Sequence, residues 1–149
     1  MTTPATLKMH PNDMAFCVKT IRALSQYSRA TRARVGCVIW HVPSRRIITM
    51  GYNGTPAGED NTMEHDNITL DHVIHAEMNA LNKLSWWEKF WFLNECILVV
   101  THTPCAQCTA AILRTKIHTI YFLDSYGNHS ETLRMFQQHN RTFIRVVET

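Results

Sequence analysis

Apolar residues recur along this chain with two different periods, and each change of period marks an element. Met14, Val18, Ile21 and Leu24 follow one another at offsets of three and four. That spacing puts them on one face of a helix capped by Asn12 or Asp13 and running to about Tyr27. Val35 to Val42 is instead β-branched and apolar, and a second strand follows the Pro43-Ser44 turn from Arg45 to Tyr52. The pair reads as a hairpin. Asn53-Gly54-Thr55-Pro56-Ala57-Gly58 is turn chemistry and opens a polar loop to about Val73. A loop of ~20 residues inside a small domain is long enough to carry function.

A helix is expected from Ile74 through Ala80 to Leu84, and a third strand from Ile97 to Thr101. Pro104 starts a helix from Cys105 to about Thr115; strands follow over Ile117 to Leu123 and Phe143 to Val147, with a helix from Glu131 to His139 between them. The order is α-β-β-α-β-α-β-α-β. Strands that alternate with helices pair in parallel through crossovers, so the expected fold is α/β, a three-layer α-β-α arrangement around a central five-stranded mixed sheet. The stretch from Trp86 to Phe92 is dense in aromatics. Packing against the sheet is its expected role, with an oligomer contact as the alternative.

A chain of 149 residues with 45% hydrophobic content suits one domain over 1–149. Such a domain buries roughly 68–70% of its unfolded surface, so a metal would serve chemistry and not merely hold the fold. The densest apolar run, Ile97 to Val100, is far too short to span a membrane. The start Met1-Thr2-Thr3-Pro4 lacks the charged and apolar regions of a secretory leader, so a soluble, cytoplasmic protein is expected. A net charge of +3 is too mild for a nucleic-acid-coating domain and suits an anionic small ligand. Five cysteines, an odd number, do not suggest a disulfide framework. The question is which of them share a metal.

Two short segments answer it: His75-Ala76-Glu77 and Pro104-Cys105-Ala106-Gln107-Cys108, each at the start of an expected helix. One His and two Cys are donors that Zn²⁺ prefers, and three protein ligands leave the fourth tetrahedral position open, as in a catalytic site. Two thiolates with a neutral imidazole leave the site without net charge, so the zinc acidifies its water less than an all-His site would and a nearby base matters more; Glu77 is the candidate for that base. Free amides at the helix starts favour thiolates at Cys105 and Cys108. A lone Cys-x-x-Cys is equally a zinc knuckle or a redox pair, but neither needs an upstream His-x-Glu and a Pro before the first Cys. The combination is the signature of zinc-dependent nucleobase deaminases.

The chain resembles the cytidine deaminase-like superfamily, and within it the short deoxycytidylate deaminases of phages and bacteria, from Ser28 to Val146. The resemblance lies in Val35-Gly36-Cys37-Val38-Ile39, Gly51-Tyr52-Asn53-Gly54-Thr55-Pro56-Ala57-Gly58, His75-Ala76-Glu77-Met78-Asn79-Ala80 and Thr103-Pro104-Cys105-Ala106-Gln107-Cys108. It implies hydrolysis of dCMP to dUMP and ammonia for dTMP precursor synthesis, with one Zn²⁺ on His75, Cys105 and Cys108. Glu77 would move a proton from water to N3 and then protonate the departing amine. The Ala76 N–H would hold the pyrimidine O2. Asn53 would contact the 3′ hydroxyl, or serve as a turn residue; Tyr126 would stack on the base, or be a strand-end aromatic. Ser28 and Arg29 would take the 5′-phosphate, ahead of Arg32, unless these arginines form a solvated face.

The resemblance also implies activation by dCTP and inhibition by dTTP, with Mg²⁺ accompanying the triphosphate. The effector site would use the turn residues Gly51, Tyr52, Gly54, Pro56 and Gly58, and the chain would form a homo-oligomer, a hexamer, without nucleic-acid or membrane partners. Cys17, Cys37 and Cys96 read as buried small hydrophobes; a second zinc on Cys17, His65 and His72 has unconvincing spacing. The competing functions are a deaminase of free nucleosides or RNA bases, and a zinc-stabilised nucleotide-binding regulatory module. Glu77 argues against the module, since a structural zinc needs no unliganded carboxylate there.

Overall fold

Helix α1 (Pro11–Ser25) opens the fold of this computed structural model, which describes residues 7–55, 62–65, 68–70 and 73–148, with the backbone alone at Ile68 and Phe90. Its cap is His10 and not Asn12 or Asp13: the His10 ring accepts from the Asn12 N–H at 3.1 Å, and Pro11 occupies the first helical position. Proline suits that position because its missing N–H would have no helical partner. Asp13 lies in the first turn and pairs with Arg45 at 2.9 Å.

The hairpin of β1 (Gly36–His41) and β2 (Arg46–Tyr52) follows, antiparallel, with a register shift between Ile39 and Trp40. Within the expected polar loop lie two very short antiparallel strands, β3 (Glu64–His65) and β4 (Ile68–Thr69). Then come α2 (Ala76–Asn82), α3 (Trp86–Trp91), a 3-10 turn (Leu93–Glu95), β5 (Cys96–His102), α4 (Ala106–Leu113), β6 (Thr119–Asp124), α5 (His129–Gln138) and β7 (Thr142–Arg145). The main sheet has the order β2-β1-β5-β6-β7. β1 is antiparallel to both β2 and β5, whereas β5, β6 and β7 run parallel. The alternation of helices and strands in the second half dictates that parallel portion.

Period-two alternation along the central strands divides the core in two. Val38, Trp40, Ile97 and Val99 point to one face and pack with Cys17, Val18 and Ile21 of α1. Cys37, Ile39, Leu98 and Val100 point to the other, against Ala76, Ala80, Ile112 and Phe136 of α2, α4 and α5. Strands buried on both faces read as continuous apolar runs, as β1 and β5 do. Helix α2 sits directly on β2 because Gly51 has no side chain: a Cβ there would lie 2.7 Å from the Ala76 carbonyl and 2.8 Å from the Ala80 nitrogen.

The aromatic stretch departs from its expected core role. Ser85 and Glu88 close a capping box that starts α3, and Trp86, Trp87 and Trp91 project outward at 72%, 62% and 60% exposure. Phe92 and Leu93, past its end, turn back into the core. The Trp87 and Trp91 rings touch at 5.3 Å between centroids. Among the described residues no helix is long and apolar enough to cross a membrane.

Candidate metal centre and active-site cavity

Each of the two candidate ligand segments is built by the N-terminus of a short helix. Ile74 exchanges two backbone hydrogen bonds with Gly54, at 3.0 and 2.7 Å, so it stays extended and α2 starts at Ala76 with His75 as N-cap. The Asn79 amide donates to the Tyr52 carbonyl at 2.7 Å and ties α2 to the end of β2. Cys105 is likewise the N-cap of α4, its sulfur accepting from the Cys108 N–H at 3.5 Å. Cys108 lies on the first turn. α4 begins beyond the carboxyl end of β5, one of the parallel strands, where open α/β sheets bind ligands.

His75 Nδ1 and Cys105 Sγ are 3.4 Å apart, and one donor atom from each of His75, Cys105 and Cys108 lies within 4.8 Å of the others. A tetrahedral zinc with two thiolates and one imidazole needs donors roughly 3.5–3.8 Å apart. Donor chemistry and spacing therefore fit such an ion. Among the described residues this is the one cluster of three or more His, Cys, Asp or Glu so arranged. The Cys105 thiol is pulled down to about 4 by the Cys108 thiol and the His75 ring that hydrogen-bond its sulfur. Cys108, as the donor of that pair and buried, is pushed up. His75 is raised, chiefly by its hydrogen bond to Cys105. Glu77, 3% exposed, is also raised, first by burial of its carboxylate. A buried carboxyl that holds its proton more tightly than usual is suited to giving and taking one.

His75, Cys105 and Glu77 line a cavity of about 250 Å³ together with Asn53, Ala76, His102, Thr103 and Tyr126, and Cys108 lies behind them. Asn53 also braces the preceding loop: its amide donates to the Ala33 carbonyl at 2.9 Å and accepts from the Val35 N–H at 2.9 Å. Ala76 is fully buried at the start of α2, and Tyr126 is 39% exposed at the mouth. Of the three candidate phosphate residues, Arg32 lines the cavity, its guanidinium donating to Thr69 at 3.0 Å. Glu64 holds the Arg32 loop by accepting from the Thr31 and Arg32 N–H groups. Ser28 is buried, its hydroxyl accepting from the Ala30 N–H. Arg29 lines a separate hollow of about 310 Å³ with Tyr52 and Gly54. Gly51 is buried beneath α2, and Pro56 and Gly58 lie outside the described residues.

Sequence reasoning missed His102 and gave no role to Thr103, which it met only as the first residue of the Pro-Cys-x-x-Cys segment, although Thr101-His102-Thr103 leads directly into it. A polar triplet at the end of an otherwise apolar strand was the available signal. Cys17 and Cys96 are buried, which pushes each thiol up to about 12, and burial likewise raises Cys37 well above the ordinary thiol value. Cys17 belongs to the α1 core, and His72 lies outside the described residues.

The arrangement is that of the cytidine deaminase-like fold carrying a candidate His/Cys/Cys metal site. Residues 11–124 match the family model described as the cytidine and deoxycytidylate deaminase zinc-binding region, and the chain belongs to that family. It is 34% identical over 128 residues to ComE operon protein 2 of Bacillus subtilis (strain 168), covering 83% of this chain and 65% of that protein. It is 32% identical over 116 residues to a probable deoxycytidylate deaminase of Caenorhabditis elegans, covering 72% and 55%. The match thus spans about half to two thirds of these two relatives. The crystal structure of dCMP deaminase from the cyanophage S-TIM5, in complex with dCMP and dUMP, superposes with a TM-score of 0.80 at 28% identity, covering 93% of this chain and 100% of that one.

Proposed function

We propose that this chain, acting as a single cytoplasmic domain, hydrolyses dCMP to dUMP and ammonia and so supplies the precursor of dTMP. One observation carries the reading: a buried carboxyl, Glu77, lines a solvent-open cavity with His75 and Cys105, two of three clustered metal donors, and Cys108 completes the cluster. The likeness to the cyanophage enzyme supports dCMP as the substrate. Zinc held by His75, Cys105 and Cys108 would supply Lewis acidity and a low-pKa water at its open position. Glu77 takes a proton from the water that adds to C4 and gives it to N3. The same carboxylate then takes the remaining proton of the new C4 hydroxyl and delivers it to the amine as the C4–N bond breaks, leaving the C4 carbonyl of dUMP and ammonia.

The Ala76 N–H, at the start of α2, receives the pyrimidine O2. Asn53 keeps amide capacity beyond its bonds to Ala33 and Val35 for the 3′ hydroxyl, and Tyr126 stacks on the base. For the 5′-phosphate we put Arg32 ahead of Ser28 and Arg29, because Arg32 lines the cavity. Arg29, Tyr52 and Gly54, in their own hollow, suit the triphosphate of dCTP or dTTP with its Mg²⁺, together with Gly51, Pro56 and Gly58 of the same turn. A hexamer completes the regulated assembly in this reading.

The test is turnover by the zinc-loaded protein of dCMP, deoxycytidine, cytidine and RNA adenosine, followed by absorbance and ammonia release. Preference for dCMP, with dCTP and dTTP moving its saturation curve in opposite directions, is expected. Equal use of deoxycytidine, or use of RNA alone, sinks the assignment.

A further inference from the structure

His102 lines the cavity, yet no step of the deamination uses it. It ends β5 and is half-buried. Its Nδ1 lies 2.9 Å from the Thr101 hydroxyl, which is buried and already accepts from the Gly36 N–H at 3.1 Å. Among the described residues, Nδ1 is the acceptor within reach of that hydroxyl's hydrogen. The network therefore assigns Thr101 as donor to Nδ1 and leaves the proton of the neutral ring on Nε2. Burial holds His102 below the ordinary histidine value, against the opposing pull of Asp124, which keeps the ring neutral.

The other neighbour of this ring is Tyr126, met edge-on with centroids 5.6 Å apart and planes at 80°. Aromatic pairs favour that geometry. The Tyr126 main chain is fixed separately: its N–H donates to the Thr103 hydroxyl at 3.2 Å, and that hydroxyl meets His129 Nδ1 at 3.0 Å. Thr101 and Thr103 thus do the same thing two residues apart, each taking a backbone N–H and setting a histidine. Tyr126 is 39% exposed, and the His102 edge is its aromatic neighbour among the described residues.

We propose that His102 is a positioning residue: anchored by Thr101 as the Nε2–H tautomer, it holds the Tyr126 ring as a pre-set wall on which the pyrimidine seats. The inference rests on the reading that this cavity takes dCMP with Tyr126 against the base. It acts through Tyr126 and not on the reacting atoms, so it belongs to binding. A wall ordered beforehand removes part of the ordering cost that binding otherwise carries.

Two measurements on the zinc-loaded protein test it. Nitrogen–proton correlation spectra of the histidine rings at neutral pH, with the His102 signals identified by their loss in His102→Phe, should show His102 neutral with its proton on Nε2. Thr101→Val should disturb that state. In kinetics, His102→Ala should raise KM for dCMP about three- to tenfold with kcat within about twofold, the size expected of one aromatic pair. His102→Phe keeps an edge for Tyr126 and should raise KM less. In a Tyr126→Ala background, His102→Ala should add nothing further to KM.

A proton on Nδ1, additive effects across that double-mutant cycle, or a fall in kcat as large as the rise in KM would overturn the proposal. If His102→Ala does not fold, seen as loss of the folded far-ultraviolet circular dichroism, the cycle is run with His102→Leu, which also removes the aromatic edge, and Tyr126→Ala, and is judged by the same criterion. Failure of the wild-type protein to deaminate dCMP would instead overturn the functional reading. The two failures are told apart because the tautomer spectrum needs no substrate.

Discussion

His75 Nδ1 and Cys105 Sγ stand 3.4 Å apart although 30 positions separate them in sequence, and each is the N-cap of its helix. An N-cap is half inside its helix, with backbone direction fixed by the first turn. Donors placed there inherit the rigidity of α2 and α4 without a long loop to order. The same first turn carries Glu77, so the proposed base and one candidate metal donor move as one piece. Sites held by packed elements keep their geometry better than sites on loops.

Glu77→Gln keeps the shape of the buried side chain and removes its ability to exchange a proton. Turnover of dCMP should fall by at least about 10²–10⁴-fold, the range of general acid–base contributions. Metal analysis should still find one zinc per chain. Activity within a few-fold of wild type would remove Glu77 from the mechanism.

Arg32→Ala should separate nucleotide from nucleoside. Losing one charge-assisted hydrogen bond costs about 1.5–3 kcal/mol, roughly a 10- to 150-fold rise in KM for dCMP. Deoxycytidine, which has no phosphate, should be handled as before. Arg29→Ala should instead change the response to dCTP, and steady-state kinetics with both substrates and the effector reads all three outcomes.

Chelation should abolish deamination and added zinc should restore it, while the far-ultraviolet circular dichroism stays that of a folded α/β protein. Two apolar cores flank the sheet independently of the metal donors. The metal still adds stability by mass action, about 2.7 kcal/mol at free zinc 100-fold above its Kd, or roughly 5–10 °C in Tm at this size. Loss of the folded spectrum on chelation would make the zinc structural.

Gly51→Ala should lower Tm, because its methyl would meet the α2 backbone 2.7 Å from the Ala76 carbonyl. Overpacking of this kind costs about 1–3 kcal/mol. Displacement of α2 carries His75 with it, so zinc should also be released more readily. Gly54→Ala, with nothing within 4 Å of the added methyl, is the control for Tm.

The sheet was readable in the sequence because β1 and β5 are apolar without interruption and the helices between strands set their directions. The metal donors were readable because a His-x-Glu and a Pro-Cys-x-x-Cys each fit within one helix start. The β3–β4 hairpin was not, since two residues per strand carry no period. The start of α3 left a visible mark in the Ser85-x-x-Glu88 capping box, but the aromatic density around it reads as core. Choosing among Ser28, Arg29 and Arg32 needed the third dimension. Glu64, 33 residues on from Thr31, gathers that loop by its backbone and sets which arginine enters the cavity.

The outward-facing α3 changes how this protein reports on itself. The chain has four tryptophans, and three of them stand at 60% exposure or more on that one short helix. Only Trp40, on β1 and 4% exposed beneath α1, passes from an apolar to an aqueous setting when the chain unfolds. Tryptophan emission would therefore shift little on denaturation, with three water-bathed indoles masking a single responsive one. Replacing the three by phenylalanine would turn Trp40 into a clean optical gauge of whether α1 is docked on the sheet.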